Sequence, residues 1–201
     1  ALWTGVLAPD YAPDVPLAGV AALAPASNLP GLIDNLGNVT GGELFASYVV
    51  DAYTRTYDDV TYDDLVRPGA EPVVREMARR CLAEPATLVS VAEALSLDRP
   101  IWNGDPNRGA FAARLRENIP TGLIEAPLLL GQGAADSLVV PASQDEYVEQ
   151  RCAAGQQVDY RTYAGRDHVP LVEPDSPAIG DLLEWTEARL AGEPPADTCT
   201  G

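Results

Sequence analysis

Three stretches carry the apolar pattern of strands. Residues 15–23 form a run of small apolar side chains bounded by Pro13, Asp14 and Pro25. A continuous apolar run of this length suits a strand buried on both faces of a parallel sheet. Residues 126–130 (APLLL) form a second such run, ending in the turn Gly131-Gln132-Gly133. Residues 158–163 alternate apolar or aromatic with polar positions, which predicts a third strand nearer an edge. Helical spacing fills the intervals at this end. Ser143 and Glu146 stand at capping-box spacing, with Tyr147, Val148 and Cys152 following before Gly155 stops the helix. Ser176 caps a last helix with Pro177 at its first position, and Ile179, Leu182, Leu183, Thr186 and Leu190 predict its apolar face. Strand, helix, strand, helix in this order predicts an α/β fold with a doubly wound parallel sheet.

Between the first two strands the period changes. Residues 26–118 contain no convincing strand and read as several helices. Thr40 and Glu43 suggest a capping box ahead of Leu44, Phe45, Tyr48, Val49, Ala52 and Tyr53. Pro72 opens a segment with Val73, Val74, Met77, Ala78 and Cys81. Pro85 opens one with Leu88, Val91, Ala92 and Leu95, and Asp105-Pro106 opens one with Phe111 and Leu115. The block is too long for a single crossover connection. The expected organisation is therefore a core from 1–25 and 119–201, with 26–118 as an inserted helical subdomain over one end of the sheet. Aromatics and aliphatics at helical spacing there are most simply core, although one face could line a tunnel.

Composition narrows the partners. The chain has 201 residues, 46% of them hydrophobic, enough to bury a real core. Its net charge is −17, and all thirteen basic residues are arginine. So acidic a surface disfavours nucleic acid as a partner. No apolar run reaches membrane-spanning length. Cys81, Cys152 and Cys199 form neither CxxC nor a Cys/His ligand cluster, so no metal is expected. The opening ALWTG has no polar lead-in and reads as the interior of a domain, so the lack of a leader says little about export.

Two residues carry candidate chemistry. His168 is the sole histidine and lies in Gly165-Arg166-Asp167-His168-Val169, after the third predicted strand. Loops at the C-terminal ends of parallel strands are where α/β sheets place ligands and catalysis. An imidazole there can act as general base near neutral pH. Asp136 lies in Gly131-Gln132-Gly133-Ala134-Ala135-Asp136-Ser137, at the end of the second buried strand. A carboxylate there can accept the imidazole Nδ1–H and fix its tautomer. Asp167 adjoins the histidine but is expected to point the other way along the loop, in a structural role.

Acid followed by histidine matches the α/β-hydrolase order of nucleophile, acid, histidine. Ser27, Ser47, Ser90, Ser96, Ser137, Ser143 and Ser176 all lie outside any G-x-S-x-G, so the nucleophile is expected upstream of Ala1. Residues 1–7, with Leu2, Val6 and Leu7 near one helical face, then belong to the helix after the nucleophile elbow.

The opening ALWTG, PLAGVAALAPASNLPGL, APLLLGQGAADSLVVP and YRTYAGRDHVPLV resemble the secretory lipase family of α/β-hydrolases, which has yeast and actinobacterial members. The likeness covers nearly the whole chain. It is strongest at 1–34 and 124–201 and weakest across the helical insert. The resemblance implies that Asp136 and His168 are triad members and that the insert is a lid. It implies a secreted lipase or esterase that hydrolyses carboxylic esters without a cofactor. Only the C-terminal portion of such an enzyme is expected here, its partner being the N-terminal half of the same protein. The family staples its C-terminal tail, and helices on one face of the sheet would bring Cys152 and Cys199 together. That pair is the expected disulfide, and Cys81 would pair with a cysteine of the N-terminal half. The rival readings are a peptidase or acyltransferase of the same fold, or a non-catalytic hydrolase-like binding protein.

Overall fold

The computed structural model describes residues 1–199. Along the chain run α1 (Leu2–Tyr11), β1 (Val20–Leu23), α2 (Leu29–Leu36), α3 (Gly42–Thr56), the single turn α4 (Tyr62–Leu65), α5 (Glu71–Ala78), α6 (Thr87–Ser96) and α7 (Gly109–Glu117). After them come β2 (Leu128–Gly133), α8 (Pro141–Ala153), β3 (Asp159–Tyr163), a 3-10 turn (Pro170–Val172) and α9 (Pro177–Leu190). They group into two compact units. One joins residues 1–28 to the stretch from Ile119 onward; the other is Leu29–Asn118.

The first unit is built on a parallel sheet in the order β1-β2-β3. Val20 pairs with Leu128 and Leu23 with Gly131, while Leu129 pairs with Asp159 and Gly133 with Tyr163. Central β2 is buried at every position, as an apolar strand covered on both faces must be. It runs on through Gly131-Gln132-Gly133, which the sequence suggests is already turn. Leu2, Val20, Ile124, Leu128, Leu130, Tyr147, Val148 and Val158 form the core of one face. α1 lies close against the sheet at Gly5. A Cβ there would come within 2.9 Å of Ile124 and 3.0 Å of Val20. Leu7 does not share in this burial and is 51% exposed.

Helix ends and faces show where local signals yield to packing. Ser176 Oγ caps α9 by accepting from the Ala178 N–H at 3.3 Å, as its sequence suggests. α8 instead begins at Pro141, with the Ser143 N–H bonded to the Val140 carbonyl, so the Ser143–Glu146 capping box is not used. The buried face of α9 is Ala178, Trp185 and Arg189, whereas Leu183 and Leu190 are exposed. The cause is Gly19. A Cβ at this glycine would lie 2.5 Å from the Trp185 ring and 3.2 Å from Arg189 Cγ, so the indole and the arginine stem fill that space in place of leucines. The tail lies along β3. The Thr198 N–H donates to Val158 O at 2.8 Å, the Tyr160 N–H to Thr198 Oγ1 at 3.2 Å, and a disulfide joins Cys152 to Cys199. This covers the outer edge of the last strand.

The second unit is helical, with one antiparallel β-bridge between Val66 and Trp102. α3 opens at Gly41 in the left-handed conformation rather than at Thr40, and it buries Leu44, Ala46, Ser47 and Val50. α5 buries Val74 and Met77, and α7 buries Phe111, Ala112 and Leu115. Phe111 stands edge-on to Tyr53, with ring centroids 5.2 Å apart. α6 packs through its small residues Ser90 and Ala94, while Leu88 and Leu95 face outward. A polar contact governs that orientation: Arg80 Nη1 donates to Ser90 Oγ at 3.1 Å and pairs with Glu93 at 2.6 Å.

Candidate active site

The loop after β2 and the loop after β3 are stitched together before any side chain is considered. The Ala134 N–H donates to Tyr163 O at 2.9 Å and the Ala135 N–H to Arg166 O at 3.0 Å. Gly133 makes this possible. A Cβ there would stand 2.4 Å from the Arg166 carbonyl oxygen, so any larger residue would push the loops apart. The parallel pairing of β2 with β3 sends both loops out of the same edge of the sheet.

Asp136 and His168 meet between these loops. His168 Nδ1 lies 2.9 Å from Asp136 Oδ2. The other carboxylate oxygen, Oδ1, accepts the N–H groups of Leu138 at 3.0 Å and Val139 at 2.8 Å. The aspartate side chain is 0% exposed and the histidine side chain 33% exposed. The carboxylate is thus fixed and dry, while part of the ring remains open to a reactant. The hydrogen bond that the ring donates to Asp136 is the main influence raising the His168 pKa above the ordinary 6.5, working against burial, with Asp167 adding to the rise. A carboxylate on Nδ1 also commits the neutral ring to the Nδ1–H tautomer, which leaves Nε2 as the basic nitrogen.

The histidine loop is held by its own charges. Gly165 turns the chain in the left-handed region after β3. Arg166 reaches across to Asp175, with Nη1 3.2 Å from Oδ1 and Nη2 3.0 Å from the Asp175 carbonyl oxygen. Asp167 takes donors from both loops. Its Oδ1 accepts the His168 N–H at 2.7 Å, the Ser137 N–H at 2.8 Å and the Ser137 hydroxyl at 3.1 Å. Donation by the two backbone N–H groups holds the Asp167 carboxyl below its ordinary 3.8. Asp167 therefore ties the acid loop to the base loop, a role that its adjacency to His168 does not reveal in sequence.

Cys152 and Cys199 are bonded, with Cα atoms 5.3 Å apart, and Cys81 is an exposed free thiol just beyond α5. Gln132 also contacts the site, a place that its position in the Gly131-Gln132-Gly133 motif does not announce. The available signal was a polar residue in a run whose neighbours are all buried. Among the described residues no group of three or more His, Cys, Asp or Glu could hold a metal ion, and no helix is long and apolar enough to cross a membrane.

Residues 1–198 match the family model described as "Secretory lipase". The fold is similar to the X-ray structure of Candida antarctica lipase A, with a TM-score of 0.75 and 15% identity over 100% of this chain and 48% of that one. It is equally similar to that lipase in its closed state, with a TM-score of 0.75 and 16% identity over 99% of this chain and 48% of that one. This chain therefore spans about half the length of the lipase structures it resembles. At such identity the likeness is one of fold, the α/β-hydrolase fold. No curated protein matches the sequence.

Proposed function

Because the chain belongs to the secretory lipase family, we propose that it carries the acid and base of a secreted serine hydrolase that cleaves carboxylic esters. The observation that carries this reading is the 2.9 Å contact between His168 Nδ1 and the buried Asp136 carboxylate, at the same edge of a parallel sheet. A serine preceding residue 1 is the nucleophile, since none of the chain's own serines lies in a G-x-S-x-G elbow. As that hydroxyl attacks the ester carbonyl, His168 Nε2 takes its proton and then delivers it to the departing alcohol oxygen. Water, deprotonated by the same nitrogen, attacks the acyl-enzyme; the bond to the serine oxygen then breaks, the imidazolium returns the proton to that oxygen, and the carboxylic acid is freed. Asp136 holds the ring and stabilises the imidazolium formed in each half of the cycle.

The helical unit is read as the lid that the family resemblance implies, and Cys81 as the thiol that pairs with a cysteine in the preceding half. The disulfide between Cys152 and Cys199 supports an extracellular setting. The test is hydrolysis of soluble p-nitrophenyl esters by the complete protein and by its His168→Ala variant. Loss of hydrolysis with an unchanged melting temperature is expected. Hydrolysis retained at the parental rate would overturn the assignment of the base.

A further inference from the structure

Gln132 occupies a position that a strand covered on both faces normally fills with an apolar residue. It is 0% exposed. Its Nε2 lies 2.9 Å from Val139 O, 3.2 Å from Gly133 O and 3.2 Å from Asp136 Oδ2. Its Oε1 is buried with no hydrogen-bond partner among the described residues. Burying a carboxamide with an orphaned oxygen is unfavourable, and a methionine of similar length would fill the space without that cost. Packing therefore does not account for this side chain, whereas its donor does.

We propose that Gln132 is a positioning residue for the acid–base pair, its amide holding Asp136 Oδ2 in the orientation that receives the His168 Nδ1–H. This rests on the reading of Asp136 and His168 as acid and base. Oδ1 is already fixed by the turn N–H groups of Leu138 and Val139. Gln132 supplies a further side-chain donor to Oδ2 besides the histidine, and it does so from the end of β2. With donors on both oxygens, the plane of the carboxylate is set before the imidazole arrives.

The experiment compares Gln132→Met and Gln132→Glu in the complete enzyme, reading kcat, KM and melting temperature with a soluble ester. Methionine keeps the volume and removes the donor. A glutamic acid side chain keeps the shape, and beside Asp136 it shares a proton, because two adjacent carboxylates cannot both ionise readily. Its O–H can then donate as the amide does. The expected result for Gln132→Met is a kcat lower by on the order of tenfold, with KM within about twofold, since one oriented hydrogen bond is lost. Gln132→Glu should recover part of that kcat even if it melts lower than Gln132→Met. A purely structural role predicts the reverse, with methionine the better substitute in both respects. The proposal is overturned if Gln132→Met keeps kcat within twofold, or if kcat follows melting temperature across the two variants. A His168→Ala control separates the levels of failure. If that variant hydrolyses ester normally, the reading of the site has failed and the role of Gln132 falls with it.

Discussion

The two units both pair carboxylates with cationic or proton-donating side chains, but under opposite conditions. In the sheet unit Asp136 is 0% exposed and held by backbone, amide and imidazole donors. In the helical unit Asp98, paired with Arg67 at 2.8 Å, is 79% exposed, and Asp59, paired with Arg114 at 3.2 Å, is 49% exposed. Distances alone would rank these contacts as equals. Burial separates them, because water screens the exposed pairs and leaves them contributing little, whereas water does not compete for the dry carboxylate. Burial rather than distance therefore decides which of these contacts water can weaken.

The largest expected effect is at the buried member of the comparison. Asp136→Asn in the complete enzyme should lower kcat by roughly 10⁴-fold, as loss of the orienting carboxylate does in hydrolases with such triads. The pH profile sharpens this. His168 must be neutral to act as base, so the acid limb of the parental profile should have its midpoint above the ordinary 6.5. Asp136→Asn removes the main cause of that rise and should move the midpoint down. The stability linkage follows the same sign. The raised pKa stabilises the fold fully below about 6.5, and that contribution is lost as pH rises through the folded value. A midpoint that stays put in Asp136→Asn would break the assigned cause.

Core truncation should follow next. Leu115 is 0% exposed in the helical unit, so Leu115→Ala should cost about 2–5 kcal/mol in denaturant unfolding. Leu88 on neighbouring α6 is 75% exposed, and its truncation should stay within about 0.5 kcal/mol. The disulfide belongs to the sheet unit and closes a separation of 47 residues. Cys152→Ser should cost roughly 2–4 kcal/mol by freeing the unfolded chain, with little change in kcat. The smallest effect is expected at the exposed pair. Asp98→Ala should change stability by no more than about 1 kcal/mol, and less in high salt. A larger loss there would overturn burial as the deciding variable.

The same contrast explains what the sequence makes legible. Strand β2 is readable because a parallel strand buried on both faces needs an unbroken apolar run, and few other structures produce one; the run at 15–23 yields strand only over Val20–Leu23, with Val20 alone buried, and its start is exposed, Val15 at 62%. Asp136 and His168 follow from their places after β2 and β3. Helix faces are harder. Leu88 and Leu95 on α6 have helical spacing, yet Ser90 and Ala94 are buried because Arg80 and Glu93 anchor the contact. On α9 the glycine at position 19, distant in sequence, draws in Trp185 and turns Leu183 outward. Helical period identifies a stripe, but the partner chooses which stripe is buried. Gln132 and the Asp167–Ser137 clamp are hidden for a similar reason, since each gains its role from a residue several positions or a whole loop away.

The central claim is that Asp136 and His168 activate a serine outside residues 1–201. Its most direct test is reaction of the complete protein with a fluorophosphonate probe, followed by peptide mapping of the labelled residue. The account predicts one labelled serine in sequence preceding residue 1, with labelling abolished in His168→Ala. Label on Ser137 or any other serine of this chain, or labelling that proceeds equally without His168, would contradict it.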